Sequence, residues 1–227
     1  MSTLSWPGCA NARDLGGLPA AGGGRVRPGA LIRSDRPRPV SVEAVFGHGI
    51  TLVADLRLAA ECRADPSPLA AHPAYRNLPV LRPEDTVLEE MADSLPAIYR
   101  AILDRGAPLV AEAMAAIATA PAGGVLVHCH SGKDRTGLIV ALSLSLAGVA
   151  DEDIAADYAL TADALRHEAQ FAATTRSRRL FAEVTAATML ATLAYLRERY
   201  GGAEPYLRGA GLGQDEITLL KARLIDP

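Results

Sequence analysis

Residues 125–146 read VLVHCHSGKDRTGLIVALSLSL. Val125-Leu126-Val127 is the short, unbroken apolar run of a strand covered on both faces. A polar segment containing Gly132 follows, and Thr136 to Leu146 is apolar enough for a buried helix. A second buried strand is expected at Ile50 to Leu56, ITLVADL, and shorter strands at Ala30–Arg33 and Ala74–Val80. Helices are expected at Ser41–Gly47, Leu95–Leu103 and Pro108–Ala118, with Pro108 suited to a first turn. Asp151-Glu152-Asp153 opens another helix, where negative charge meets the helix dipole. Met189, Leu193, Leu196 and Tyr200 mark a further helix that Gly201-Gly202 ends. Ile217, Leu220 and Leu224 mark the last.

Strands and helices alternate early and helices dominate late. The expected class is α/β: a central, mainly parallel sheet of four or five strands, flanked by helices. The glycine- and proline-rich residues 1–30 have room for short hairpin strands only. The chain has 227 residues, which a guide of roughly 150 per domain makes one domain or a little more, and residues 1–227 are read as one. Thr161 to Thr185 is less apolar, carries Arg166, Arg176, Arg178 and Arg179, and is read as a helical lid within it.

Net charge is -3 and aromatics are 4%, which argues against a nucleic-acid binder that would need a basic face or stacking platforms. The longest apolar stretch, Gly137–Ala150, is shorter than the roughly 20 residues of a membrane span. The N-terminus shows no basic and apolar leader pattern. Cys9, Cys62 and Cys129 are odd in number and widely spaced, so a reducing, cytoplasmic setting is expected, with export lacking a standard signal left open.

The chemistry resides in HCHSGKDRTG, residues 128–137. Cys129 ends a buried strand. The backbone N–H groups of Ser131, Gly132, Lys133, Asp134 and Arg135, with the helix N-terminus behind them, can form an anion cradle. Gly132 permits a turn that a Cβ would resist. Arg135 offers a planar fork for two phosphate oxygens. A field that binds a phosphate dianion also favours a thiolate over a thiol, whose ordinary pKa is about 8.5. Such a thiolate can attack phosphorus, giving a phosphocysteine that water hydrolyses. Arg135 would hold the equatorial oxygens as charge spreads, and the Thr136 hydroxyl would assist sulfur departure.

Other readings of the same residues fare worse. A nucleotide-binding loop needs Gly where Val127 stands and Ser/Thr where Asp134 stands. His128, Cys129 and His130 alternate across an extended chain and converge poorly on a metal ion. A phospho-ligand reader without turnover and a sulfurtransferase with a persulfide on Cys129 stay open as alternatives.

HCHSGKDRTG resembles the His-Cys-x5-Arg-Thr signature of cysteine-dependent phosphatases. Its internal Lys-Asp resembles the atypical bacterial tyrosine/dual-specificity phosphatases related to mycobacterial protein tyrosine phosphatase B. Asn11–Gly17, Val26–Gly29, Arg33-Ser34, Asp55-Leu56-Arg57, Tyr200-Gly201-Gly202 and Tyr206-Leu207 resemble that family's landmarks in order. The resemblance implies a phosphatase fold, metal-independent and cofactor-free chemistry, and a phosphotyrosine protein substrate. It extends in some relatives to phosphoserine/threonine or phosphoinositides, and to a helical lid.

The proton donor to the leaving oxygen stays open. Asp134, odd in an anion cradle, is either a salt-bridge partner of Lys133 or of a flanking arginine, holding the loop's shape, or a group for substrate selection or proton handling. Asp55 ends a buried strand, where α/β folds carry function, and the family comparison adds it as an acid. Its other reading is an ion pair with Arg57 or a cap for the next helix. Asp85 and Asp93 lie at the distance of mobile acid loops. His128 is expected to bond backbone and hold the loop, His130 to touch substrate or solvent, and Lys133 to charge the rim. Arg13 and Asp14 are read as braces of the N-terminal turn. Cys9 and Cys62 are read as unreactive thiols, with a protective disulfide to Cys129 open.

Overall fold

Val125, Leu126 and Val127 are fully buried: parallel strands pair with theirs on both sides and an apolar layer covers each face. The computed structural model describes residues 1–85, 93–166 and 174–226. The strands are β1 (Ser2–Thr3), β2 (Arg13–Asp14), β3 (Arg25–Val26), β4 (Leu31–Ser34), β5 (Ile50–Asp55), β6 (Tyr75–Asn77), β7 (Gly124–His128) and β8 (Ile225–Asp226). The main sheet has the order β1-β2-β4-β7-β5-β6. Its four strands β4, β7, β5 and β6 are parallel, and β2 and β1 continue it antiparallel. The sheet therefore has six strands rather than four or five, because two dipeptides too short to show a period extend its edge.

Helices described are α1 (Val42–Gly47), α2 (Ala59–Ala64), α3 (Leu95–Arg105), α4 (Ala107–Ala118), α5 (Asp134–Leu146), α6 (Asp151–Ala164), α7 (Thr175–Ala182), α8 (Ala186–Tyr200), α9 (Ala203–Gly209) and α10 (Gln214–Leu224). α5 begins at Asp134, two residues before the apolar run that announces it. Residues 161–164 of the expected lid belong to α6 and Thr175–Ala182 form α7, while 167–173 lie outside the described residues.

The pleat separates two apolar layers. Leu31, Leu52, Ala54, Val125 and Val127 face the larger layer with α3, α4, α5, α8 and α10. Ile32, Val53 and Leu126 face the smaller one with Trp6, Val45 and Leu69. Side chains alternate along each strand, so burial on both faces requires the continuous apolar runs seen in the sequence. The parallel register brings Ser34, Asp55 and His128 level, and the chain leaves the sheet at this carboxyl end toward the Cys129 loop. Among the described residues no helix is long and apolar enough to cross a membrane.

Candidate active site

Cys129 follows β7 immediately and is buried, at the floor of a cavity of about 190 Å3. Leu95, Ile98, His130, Ser131, Lys133, Asp134, Arg135, Arg176 and Leu180 complete its lining.

The loop is held by its carbonyls. The oxygen of His128 accepts from the Leu56 amide and that of His130 from the Arg36 amide. The oxygen of Cys129 lies 3.1 Å from His128 Nδ1, which must carry the hydrogen because a carbonyl only accepts. Asn11 Nδ2 donates to the oxygens of Ser131 and Gly132, at 3.0 and 3.2 Å. Arg33 Nη2 donates to Gly132 O at 2.7 Å, and the Gly137 amide to Lys133 O. Each carbonyl from 128 to 133 thus has a partner in the surrounding scaffold.

Gly132 makes this wrapping possible. Its φ is +68°, and a Cβ there would stand 2.3 Å from Ser34 O. The loop lies directly against the end of β4, and only hydrogen fits between them.

The donors to the loop are themselves fixed. Asp35 accepts from the amides of Ala10 and Asn11, which sets Asn11 beside the loop. Asp157 of α6 bonds Arg13 at 2.6 Å and Arg33 at 2.5 Å, all three buried. Burial alone would raise the Asp157 carboxyl, but Arg33 and Arg13 hold it below the ordinary carboxylate range. Burial, then the neighbouring Arg33, push Arg13 down to about 10, against the pull of Asp157. Arg13 thus ties the N-terminal segment, through Asn11 Oδ1, to Asp157 and Thr161 of α6, and Asp14 holds the following turn through the amides of Gly16 and Gly29.

Arg135 lies against Glu61 of α2, with Nη1–Oε2 at 2.5 Å and Nη2–Oε1 at 3.0 Å. Burial raises Glu61, yet Arg135 outweighs it and the carboxyl stands below its ordinary value. Lys133 lines the cavity and is itself buried, with its Nζ 4.8 Å from the centre of the Phe181 ring on α7 and 3.3 Å from Asp134 Oδ2. The Thr136 hydroxyl is buried and has no hydrogen-bond partner among the described residues.

The four carboxylates raised by the sequence are separated by the fold. Asp134 lines the cavity and accepts from Tyr99 at 2.7 Å. Asp55 is fully buried behind the loop, bonded to Arg57 (2.7–3.1 Å) and to the Tyr75 hydroxyl (2.8 Å). Burial raises it, but His128 and Arg57 prevail and hold it below the ordinary carboxylate range. Asp85 is buried against Arg105, and Asp93 is exposed beside Arg179. Among the described residues, Asp134 is the one of the four that lines the cavity.

His128 is fully buried, and burial keeps its imidazole below the ordinary value despite Asp55 at 3.8 Å from Nε2. Cys9, Cys62 and Cys129 are in no disulfide. Cys62 packs against Asp55 and Tyr75, and burial with Asp55 raises its thiol; burial also raises Cys9.

A larger cavity, about 780 Å3, opens at the opposite end of the sheet beside Arg27, His48 and Arg223. Arg223 there spends its guanidinium on the carbonyls of Gly123, Ala120 and Pro121. Size alone does not locate the chemistry.

Asn11, Arg33, Glu61, Tyr99, Asp157 and Tyr158 were not singled out as site residues from sequence, although Asn11 and Arg33 stand among the family landmarks. Asp157 carries a readable signal, since a carboxylate beside Ile154, Tyr158 and Thr161 lies on a buried helix face and needs a cationic partner.

The family model described as "Tyrosine phosphatase family" matches residues 4–226. The chain is 32% identical over 215 residues to the tyrosine-protein phosphatase of Nostoc commune, covering 86% of this chain and 71% of that protein. It is 32% identical over 230 residues to a relative from Cupriavidus necator, covering 91% and 83%. To the triple specificity protein phosphatase PtpB of Mycobacterium tuberculosis it is 27% identical over 279 aligned positions, covering 99% and 100%.

Proposed function

The chain belongs to the tyrosine phosphatase family, and on that premise we propose that it hydrolyses phosphotyrosine in proteins through a phosphocysteine on Cys129. The observation that carries this reading is the buried Cys129 under a loop whose carbonyls from 128 to 133 are all engaged by the scaffold.

In the first step Cys129 Sγ attacks phosphorus and the bond to the leaving oxygen breaks. Asp134 gives that oxygen a proton, so tyrosine leaves as the neutral phenol. The loop amides of residues 130–135 and the Arg135 fork hold the three equatorial oxygens, where transition-state charge collects. Glu61 keeps the fork in one orientation. In the second step water attacks the phosphocysteine, Asp134 takes its proton, and phosphate leaves the sulfur. The otherwise unpartnered Thr136 hydroxyl supports the departing thiolate. Asp55 is assigned to the loop's foundation through Arg57 and His128 rather than to the proton.

Leu95, Ile98 and Leu180 give the cavity apolar walls suited to an aromatic ring above the phosphate. We read α7, which carries Leu180 and Arg176, as the lid of this cavity. Arg176 and Lys133 add positive charge that would also receive phosphoserine/threonine or phosphoinositide headgroups. Three thiols in no disulfide fit a reducing, cytoplasmic compartment.

Cys129→Ser should bind a phosphotyrosine peptide in calorimetry and release no phosphate from it. Retained hydrolysis would overturn the proposal. Thiosulfate-dependent cyanide conversion by the wild-type protein, without phosphate release, would favour sulfur transfer. A panel of phosphotyrosine, phosphoserine and phosphoinositide substrates sets the breadth.

A further inference from the structure

α3 presents an apolar stripe, Leu95, Ile98, Ile102 and Leu103, and Tyr99 lies on it, fully buried. A phenol placed there must find a partner for its hydroxyl. Tyr99 finds two: its oxygen is 2.7 Å from Asp134 Oδ1 and 2.5 Å from the hydroxyl of Tyr158. A phenol has one hydrogen to give. With that hydrogen directed at the carboxylate, Tyr99 accepts from Tyr158, and the chain runs Tyr158 to Tyr99 to Asp134. The two rings meet edge to face, 6.1 Å apart and at 90°. Gly137 makes room for this, since a Cβ there would stand 3.1 Å from the Tyr158 ring.

This arrangement makes the two carboxyl oxygens unequal. Oδ1 is occupied by a donor that burial, and then Asp134 itself, keep protonated far above neutral pH. In the arrangement where Tyr99 donates to Oδ1, that oxygen is the acceptor and the acid hydrogen of Asp134 is on Oδ2. Oδ2 lies beside Lys133 Nζ, at 3.3 Å, in a cavity that Arg135 and Arg176 also line. Once the proton has left, the bond from Tyr99 becomes a stronger, charge-assisted one. One contact thus orients the acid and stabilises its product.

We propose that Tyr99, braced by Tyr158, is the positioning residue that commits Asp134 Oδ2 to the reacting oxygen in proton transfer. The inference rests on Asp134 being the proton donor, and its test separates the two. Tyr99→Phe, Asp134→Asn and the double variant are assayed with p-nitrophenyl phosphate, whose leaving group needs little protonation, and with a phosphotyrosine peptide.

Asp134→Asn should lose about 100-fold in kcat on the peptide, the lower end of general-acid contributions, and much less on p-nitrophenyl phosphate. Tyr99→Phe should raise the ratio of p-nitrophenyl phosphate to peptide kcat about tenfold, with peptide KM unchanged, and add nothing in the Asp134→Asn background. A Tyr99→Phe loss that is equal on both substrates, or additive with Asp134→Asn, would overturn the positioning role and leave Asp134 as the acid. An Asp134→Asn variant with an unaltered substrate ratio would overturn the acid assignment and the positioning role together. Should Tyr99→Phe fail to fold, Tyr158→Phe reports on the same chain, with a rise in the same ratio as support and no change as refutation.

Discussion

At the scale of single residues, the loop depends on one missing Cβ. Gly132 has a positive φ and its backbone meets Ser34 O, so two separate constraints exclude a side chain. Gly132→Ala should cost about 1–3 kcal/mol in strain alone. It should also push the loop off β4, abolishing phosphate release while the protein still melts cooperatively. Thermal denaturation beside a phosphate-release assay checks both; full activity would show that the loop tolerates a different path. The need for glycine was legible in the sequence as turn chemistry. The clash with Ser34 was not, because it depends on β4 lying parallel to β7.

At the scale of elements, helices around the loop supply side chains that hold it. α2 brings Glu61, which both accepts from the Leu58 amide at its own N-terminus and grips Arg135. Glu61→Gln preserves an acceptor for the cap and removes the charged half of the grip. It should lower kcat/KM about tenfold, or ~1.4 kcal/mol of transition-state binding, with little change in melting temperature. An unchanged kcat/KM would reduce Glu61 to a helix cap. Element positions were largely legible: β5, β7, α3 and α4 lie where apolar runs, periodicity and Pro108 put them. β1 and β2 were not, because two residues cannot display a period and are defined by their partners.

At the scale of the whole molecule, titratable groups are folded into the base of the site, and stability should follow pH. His128 stands below its ordinary value of about 6.5 because burial disfavours its charge. The unfolded chain then binds the proton first, so stability is fully present above about pH 6.5 and falls as pH drops toward the folded value. Asp55, Glu61 and Asp157 stand below their ordinary values of roughly 4 because arginine or histidine partners outweigh burial. Their contribution is present above that range and is lost as pH falls through the folded values. Melting temperature should therefore decline in two stages, first below about pH 6.5 and more steeply below about pH 4. His128→Asn, which keeps a donor for the Cys129 carbonyl, should flatten the first stage. A first stage of unchanged slope in that variant would assign it to another group.

By itself the sequence determined what contiguous residues can encode: a buried strand, a glycine-bearing loop, a helix behind it, and a cysteine and arginine at the spacing of an anion cradle. Backbone preferences and apolar periodicity act over a few neighbours, so they survive without a fold. Only the tertiary structure decided which of four carboxylates reaches the cavity. Likewise it alone showed that Lys133 is buried beneath Phe181 and that Asn11, Arg33, Asp157, Tyr99 and Glu61 converge on one loop. Those pairings join residues far apart in the chain. Sheet order and helix packing create them, and the cost of leaving buried polar groups unpaired keeps them together.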